Sequence, residues 1–141
     1  MSEPATPSSP LPPVLLAEAF DRDEVTDLRH AVARVANAAG LSGQRLDDFV
    51  LAVNEIMTNA VRHTGGRGWI RLWITGTRLH CEITDTGGGI PTHWLDARRP
   101  APDLVAGGRG LWIARRLCDD MCVETGPTGT AVCLGMALPA R

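Results

Sequence analysis

Three groups of residues in this chain have types and spacings that could do chemistry. Glu55 and Asn59 lie four positions apart in "AVNEIMTNAVRH" (52–63), and at ~100° per residue a helix sets them about 40° apart, on one face. Two polar groups thus share one face of a helix that is otherwise apolar. Further along, "DTGGGI" (85–90) sets Asp85 ahead of Gly87 and Gly89, and "GGRGLWI" (107–113) sets Arg109 between Gly108 and Gly110. Glycine gives a backbone the positive φ that close approach to a ligand needs. A helix start offers free N–H groups and a favourable dipole to phosphate, and a guanidinium suits the same anion.

Each group also has an ordinary explanation: a solvated helix face, a hairpin turn, a helix entry. Neither glycine turn is a dinucleotide fingerprint, because "GRGLWI" supplies two glycines of G-x-G-x-x-G and has Ile113 at the third, with a loop where a strand should precede it. E-x-x-x-N on a helix, then D-x-G-x-G after a strand, then G-x-G-L at a helix start is a far rarer combination than any one part.

The elements that must position these residues can be read from periodicity. Residues 1–12, rich in Pro and Ser, cannot bury enough apolar surface to offset the entropy of ordering, and read as a flexible tail before a domain over 13–141. "VLLAEAF" reads as a strand. "DRDEVTDLRHAVARVANAAGL" reads as a helix with acidic residues in its first turn, an apolar stripe of Val25, Leu28, Val32 and Val35, and Gly40 past its end. Ser42 is suited to cap a second helix, in which Leu46, Phe49, Val50, Val53, Met57 and Ala60 recur every three or four residues up to "HTGG". "WIRLWIT" and "LHCEITD" predict a hairpin joined by Gly76, Thr77 and Arg78. Segment 91–107 has no sustained period and reads as a mobile loop. "GRGLWIARRLCDDM" predicts a third helix, and "CVETG" with "TAVCLGMAL" a closing pair of strands. Too few βαβ alternations occur for a doubly wound parallel sheet. The order predicts an α+β fold, a two-layer sandwich of mixed or antiparallel sheet with helices on one face.

Composition narrows the chemistry. The chain has 141 residues, 44% hydrophobic and 21% charged, with a formal charge of -2. That suits one globular domain and supplies no basic field for nucleic acid. No apolar run approaches the roughly 18 residues of a membrane span, and the N-terminus lacks the charged and apolar regions of a signal peptide, so a cytoplasmic location is expected. All 14 basic residues are Arg. Without Lys there is no Walker A loop, no pyridoxal Schiff base and no strand lysine of the eukaryotic protein kinase type. Cys81, Cys118, Cys122 and Cys133 form no C-x-x-C pair, and His30, His63, His80 and His93 do not fall at zinc-finger spacing. The four cysteines are expected to be reduced, small, buried hydrophobes.

"NEIMTNAVRH", "DTGGGI", "GGRGLWIARRLCD" and "GTAVCLGMALP" in this order resemble the N box, the two glycine boxes and the closing Gly-Thr strand of the Bergerat-fold ATP-binding superfamily of gyrase, Hsp90, histidine kinases and MutL. The resemblance covers about residues 14–139 and is narrower to the bacterial anti-sigma factor serine/threonine kinases. It implies ATP and Mg²⁺ as cofactors, with Asn59 as magnesium ligand and Glu55 as catalytic base. Asp85 would accept a hydrogen bond from the adenine amino group, Gly87 and Gly89 would let the backbone close on the base, and Thr130 would fix that end. Gly108 and Gly110 would bring N–H donors to the phosphates, with Arg109 as a further phosphate contact, and 91–107 would be the ATP lid. His63 is open between the phosphate end and a plain helix-end role. In the lid, Arg98 and Arg99 read as solvated and Trp94 could meet a partner, whereas Trp69, Trp73 and Trp112 read mostly as core or lid packing.

Two functions are implied by this resemblance. One is a kinase in a partner-switching circuit that phosphorylates an anti-sigma factor antagonist domain and binds a sigma factor. The other is a non-catalytic adaptor that uses bound ATP to shape a protein-binding surface. Homodimerisation is implied by family analogy alone.

Overall fold

Alternation of apolar and polar residues builds the sheet. In β1 (Val14–Asp21), β2 (Arg67–Thr75), β3 (Arg78–Asp85), β4 (Asp120–Gly126) and β5 (Gly129–Ala137), every second side chain turns to one face. In the computed structural model, which describes residues 13–63, 66–87 and 106–140, these strands form one antiparallel sheet in the order β1-β2-β3-β5-β4. Ile70, Leu72, Leu79, Cys81, Ile83, Val132, Leu134 and Met136 are the buried inner face. The sheet is antiparallel at every described pairing, within the mixed or antiparallel arrangement expected.

Among the described residues three α-helices cover that face. The first, α1 (Val25–Ala39), follows a single 3-10 turn (Arg22–Glu24) whose entry is fixed by a capping box: Asp23 N–H donates to Asp21 Oδ1 at 2.9 Å, and Asp21 N–H donates to Glu24 Oε1 at 3.1 Å. It stops at Gly40, whose φ of 123° only glycine adopts readily. Gly40 N–H to Asn37 O and Leu41 N–H to Ala36 O close the last turn, and buried Leu41 completes the closure with an apolar contact. The second, α2 (Gly43–His63), carries the longest apolar stripe: Phe49, Ala52, Val53, Ile56, Met57, Ala60 and Val61 are all buried. Its partner α3 (Ala106–Leu117) packs on it and touches β4.

Several expectations need correction. The third helix starts two residues before Gly108 and ends at Leu117, because Asp120 and Met121 pair with Gly135 and Leu134 in the β4 ladder. Ala106 and Gly107 are thus helix, not loop. The β2–β3 turn has two residues, Gly76 and Thr77, since Arg78 is already paired with Thr75, and Gly76 takes the positive φ (59°) such tight turns demand. The rest of segment 91–107, with Arg98, Arg99 and Trp94, lies outside the described residues.

The sheet face away from the helices carries side chains that sequence placed inside. Trp69 is 40% exposed there. Trp73 stacks on His80 with centroids 5.3 Å apart, and Arg71 lies 5.1 Å above the Trp73 ring while bonding Glu82 at 2.7 Å. Cys81 and Cys118 are buried as expected, but Cys122 is exposed and Cys133 half-buried. Strand parity is the reason: Cys122 and Cys133 share the outer face, whereas their neighbours Val123 and Val132 point inward.

Candidate functional site

The sheet and α2 bring the chemistry to one end of the molecule. Helix α2 finishes at His63, β2 begins at Arg67, and Gly68 of β2 pairs with Asp85 at the end of β3. The last turns of α2 and the carboxyl end of β3 therefore share that end. The His63 side chain lies outside what is described.

Glu55 and Asn59 do share one cleft, as their spacing predicts. It has a volume of about 470 Å³ and is lined by Leu51, Glu55, Thr58, Asn59, Arg62, Arg109 and Ile113. Both are half-buried, while the other side of the same helix is sealed in the core at Val53, Met57 and Ala60. One carboxylate and two guanidiniums line the cleft, giving it a cationic surplus suited to an anionic ligand.

Helix α3 closes the far wall. Gly108 falls in its first turn, where backbone N–H groups have no intrahelical acceptor, and Arg109 beside it is exposed. Gly110 lies one residue beyond that set, and its contribution is steric: a β-carbon there would sit 3.1 Å from Asn59 Nδ2 and 3.2 Å from Asn59 Oδ1. The absence of a side chain at 110 lets α3 approach the Asn59 amide.

The second cluster is at the sheet end. Asp85 Oδ1 accepts from Gly87 N–H at 3.0 Å, which turns the chain as it leaves β3. Asp85 is directly opposite Thr130, which is 6% exposed and shares a 2.8 Å hydrogen bond between its hydroxyl and that of Thr125. Gly129, at φ 150°, brings β5 so close to β3 that a β-carbon would overlap the Asp85 carbonyl oxygen. Gly89 lies outside the described residues. Asp85, Ile83, Thr130 and Val132 point to the helix-covered side by strand parity, the side that also carries Asn59.

Sequence reasoning passed over Thr58 and Arg62 in the cleft wall. The signal was available for Arg62, which stands three residues after Asn59 and seven after Glu55, the spacing of one helix face.

The donors suit a magnesium nucleotide: one amide oxygen with room for phosphate and water, cations around it, and a carboxylate acceptor at the far end. Fold and site together define an α+β sandwich domain with an anion-suited cleft between its long central helix and a glycine-rich helix start. The chain belongs to the histidine kinase-like ATPase domain family, whose pattern matches residues 19–136. It is similar to the serine-protein kinase RsbW of Halalkalibacterium halodurans, with 28% identity over 65% of this chain and 63% of that one. RsbW of Bacillus subtilis is 27% identical, over 69% of this chain and 68% of that one. The chain thus spans about two-thirds of the length of these relatives. Among solved structures, the mycobacterial sensor histidine kinase MprB superposes with a TM-score of 0.57 at 23% identity, over 89% of this chain and 100% of that one. The histidine kinase domain of a blue-light-activated kinase from Erythrobacter litoralis gives 0.54 at 22%, over 79% and 65%. No helix among the described residues is long and apolar enough to cross a membrane.

Proposed function

We propose that this protein is an ATP- and Mg²⁺-dependent protein serine/threonine kinase of the anti-sigma factor type, acting on an antagonist domain in a partner-switching circuit. The observation that carries the reading is the joint placement of Glu55 and Asn59 in one cleft with Arg62 and Arg109. The serine-protein kinase relatives support it.

In this reading Asn59 would hold Mg²⁺ through its amide oxygen, and the ion would supply positive charge to offset that of the phosphates. Arg109 and the free N–H groups around Gly108 hold the phosphates from the α3 side, and Arg62 offers a second guanidinium from α2. Asp85 accepts from the adenine amino group, with Thr130, Gly87 and Gly89 shaping that end. Glu55 would take the proton from the acceptor hydroxyl as the hydroxyl oxygen bonds to the γ-phosphorus and the bond from that phosphorus to the β-phosphate oxygen breaks, with ADP as the leaving group, a contribution of about 10²- to 10⁴-fold. The sigma factor is the second binding partner, and the cytoplasm is where such a circuit operates.

Glu55→Ala is expected to keep Mg-ATP binding and lose phosphotransfer to antagonist domains, while Asn59→Ala loses the magnesium nucleotide. Calorimetry reads the first property and intact-mass spectrometry of a panel of antagonist domains reads the second. Absence of magnesium-dependent ATP binding by the wild-type protein overturns the nucleotide assignment. Binding without phosphorylation of any panel member leaves the adaptor function in place of the kinase.

A further inference from the structure

The two cysteines on the outer sheet face were not absorbed by the nucleotide site. Cys122 of edge strand β4 is the direct partner of Cys133 in β5. Residues directly opposed in an antiparallel pair have α-carbons about 4.5–5.5 Å apart, inside the roughly 4.4–6.8 Å window that a disulfide spans. Both thiols are free and both belong to the outer set by parity, with Cys122 exposed and Cys133 half-buried.

We propose that Cys122 and Cys133 form a peroxide-sensitive modification site that closes reversibly to an intramolecular cross-strand disulfide. Exposure selects Cys122 as the first sulfur to react. Its thiolate attacks a hydroperoxide oxygen, the S–O bond forms as the O–O bond breaks, and with hydrogen peroxide a water molecule leaves. Cys133 then attacks the Cys122 sulfenic sulfur; the S–S bond forms, the S–OH bond breaks, and a second water departs. The two thiols together supply the two electrons that reduce the peroxide.

The Cys133 proton has an acceptor in place, since its Sγ donates to Glu82 Oε2 at 3.8 Å. Burial pushes the Cys133 thiol up to about 11, and Glu82 and Cys122 add to the effect. This thiol is thus poorly suited to react first and placed to react second, when the sulfenic sulfur lies directly across the ladder. Cys81 and Cys118 are buried on the other side of the sheet and take no part.

Hydrogen peroxide treatment of the full chain, followed by intact-mass spectrometry, tests the site independently of nucleotide chemistry. The expected product is monomeric, lighter by two hydrogen atoms, and restored by dithiothreitol. Cleavage after Glu124 should leave the Cys122 and Cys133 fragments joined until reduction. Cys122→Ser and Cys133→Ser should each abolish the linkage, whereas Cys118→Ser should retain it. Tandem spectra of the joined fragments distinguish Cys118 from Cys122 even if that last variant does not fold. A linkage through Cys118, a linkage between two chains, or Cys122 gaining oxygen atoms while Cys133 stays a free thiol would each overturn the proposal.

Discussion

Gly110→Ala separates what the helix wants from what the cleft wants. Gly110 is the fifth residue of α3, an interior position, where alanine is favoured over glycine by up to about 1 kcal/mol. The new β-carbon would meet Asn59 Nδ2 at 3.1 Å and Oδ1 at 3.2 Å, so the amide must retreat by a few tenths of an ångström. The fold should tolerate this, because Asn59 is half-buried at a cleft and a shift of that size is small. A magnesium ligand cannot make the same concession, since Mg²⁺ holds its oxygens near 2.0–2.1 Å in near-octahedral geometry, with a tolerance of about 0.2 Å. Losing one charge-assisted contact costs about 1.5–3 kcal/mol, or roughly ten- to a hundredfold in affinity. The variant should therefore unfold at the wild-type temperature or slightly above while binding Mg-ATP at least about tenfold more weakly. Thermal unfolding and titration calorimetry on the same preparation give both numbers. Wild-type affinity in Gly110→Ala would refute the role given to Asn59. A stability loss of several kcal/mol would refute the claim that the contact can yield.

The sheet end should behave oppositely. Gly129→Ala combines an unfavourable φ with overlap onto the Asp85 carbonyl, and should lose at least about 3 kcal/mol in denaturant unfolding; a near-neutral result would contradict the close approach of β5 to β3. Asp119 tests the other end of the molecule, where Arg45 donates to its carboxylate at 2.7 Å and to the Ala137 carbonyl at 2.9 Å. The Arg45 hydrogen bond first, then the Ala137 N–H, hold the Asp119 carboxyl below its ordinary value. A depressed carboxyl stabilises the fold above the unfolded value near about 3.9 and loses that contribution as pH falls through the folded value. Both partners are substantially exposed, so Asp119→Asn should cost no more than about 1 kcal/mol at pH near 6, with the difference vanishing toward pH 2 in urea titrations. A gap that persists in acid would show that the effect is not the charge.

The fold was legible in the sequence wherever one period ran unbroken. Alternation over 69–75 and 79–85 and the three- and four-residue stripe of 46–60 became β2, β3 and α2 with small shifts at their ends. Legibility failed where local pattern met long-range pairing. "CDDM" continues the helical composition of the segment before it, but Asp120 and Met121 are taken by the β5 ladder, and tertiary pairing outweighs propensity there. Cys122, Cys133, Trp69 and Trp73 were misplaced for a related reason. Inside or outside on a strand is a matter of one-residue parity, and hydrophobic type alone does not fix it when Trp and Cys side chains also occur among the charged residues of the outer face. In the site, Glu55 and Asn59 were readable because helix geometry is local. The steric duties of Gly110 and Gly129 were not, because each depends on an atom of a different element.

Strands β3 and β5 lie side by side, with eight paired positions from Arg78 opposite Ala137 to Asp85 opposite Thr130, although helix α3 and strand β4 intervene in the chain. The route from β3 to β5 therefore leaves and returns at fixed neighbouring points. The same topology makes this junction slow to assemble, because the pairing spans forty-five residues or more of sequence and loop closure must precede it. A domain built this way brings Asp85 and Thr130 together late in folding, after the elements on either side of them have formed.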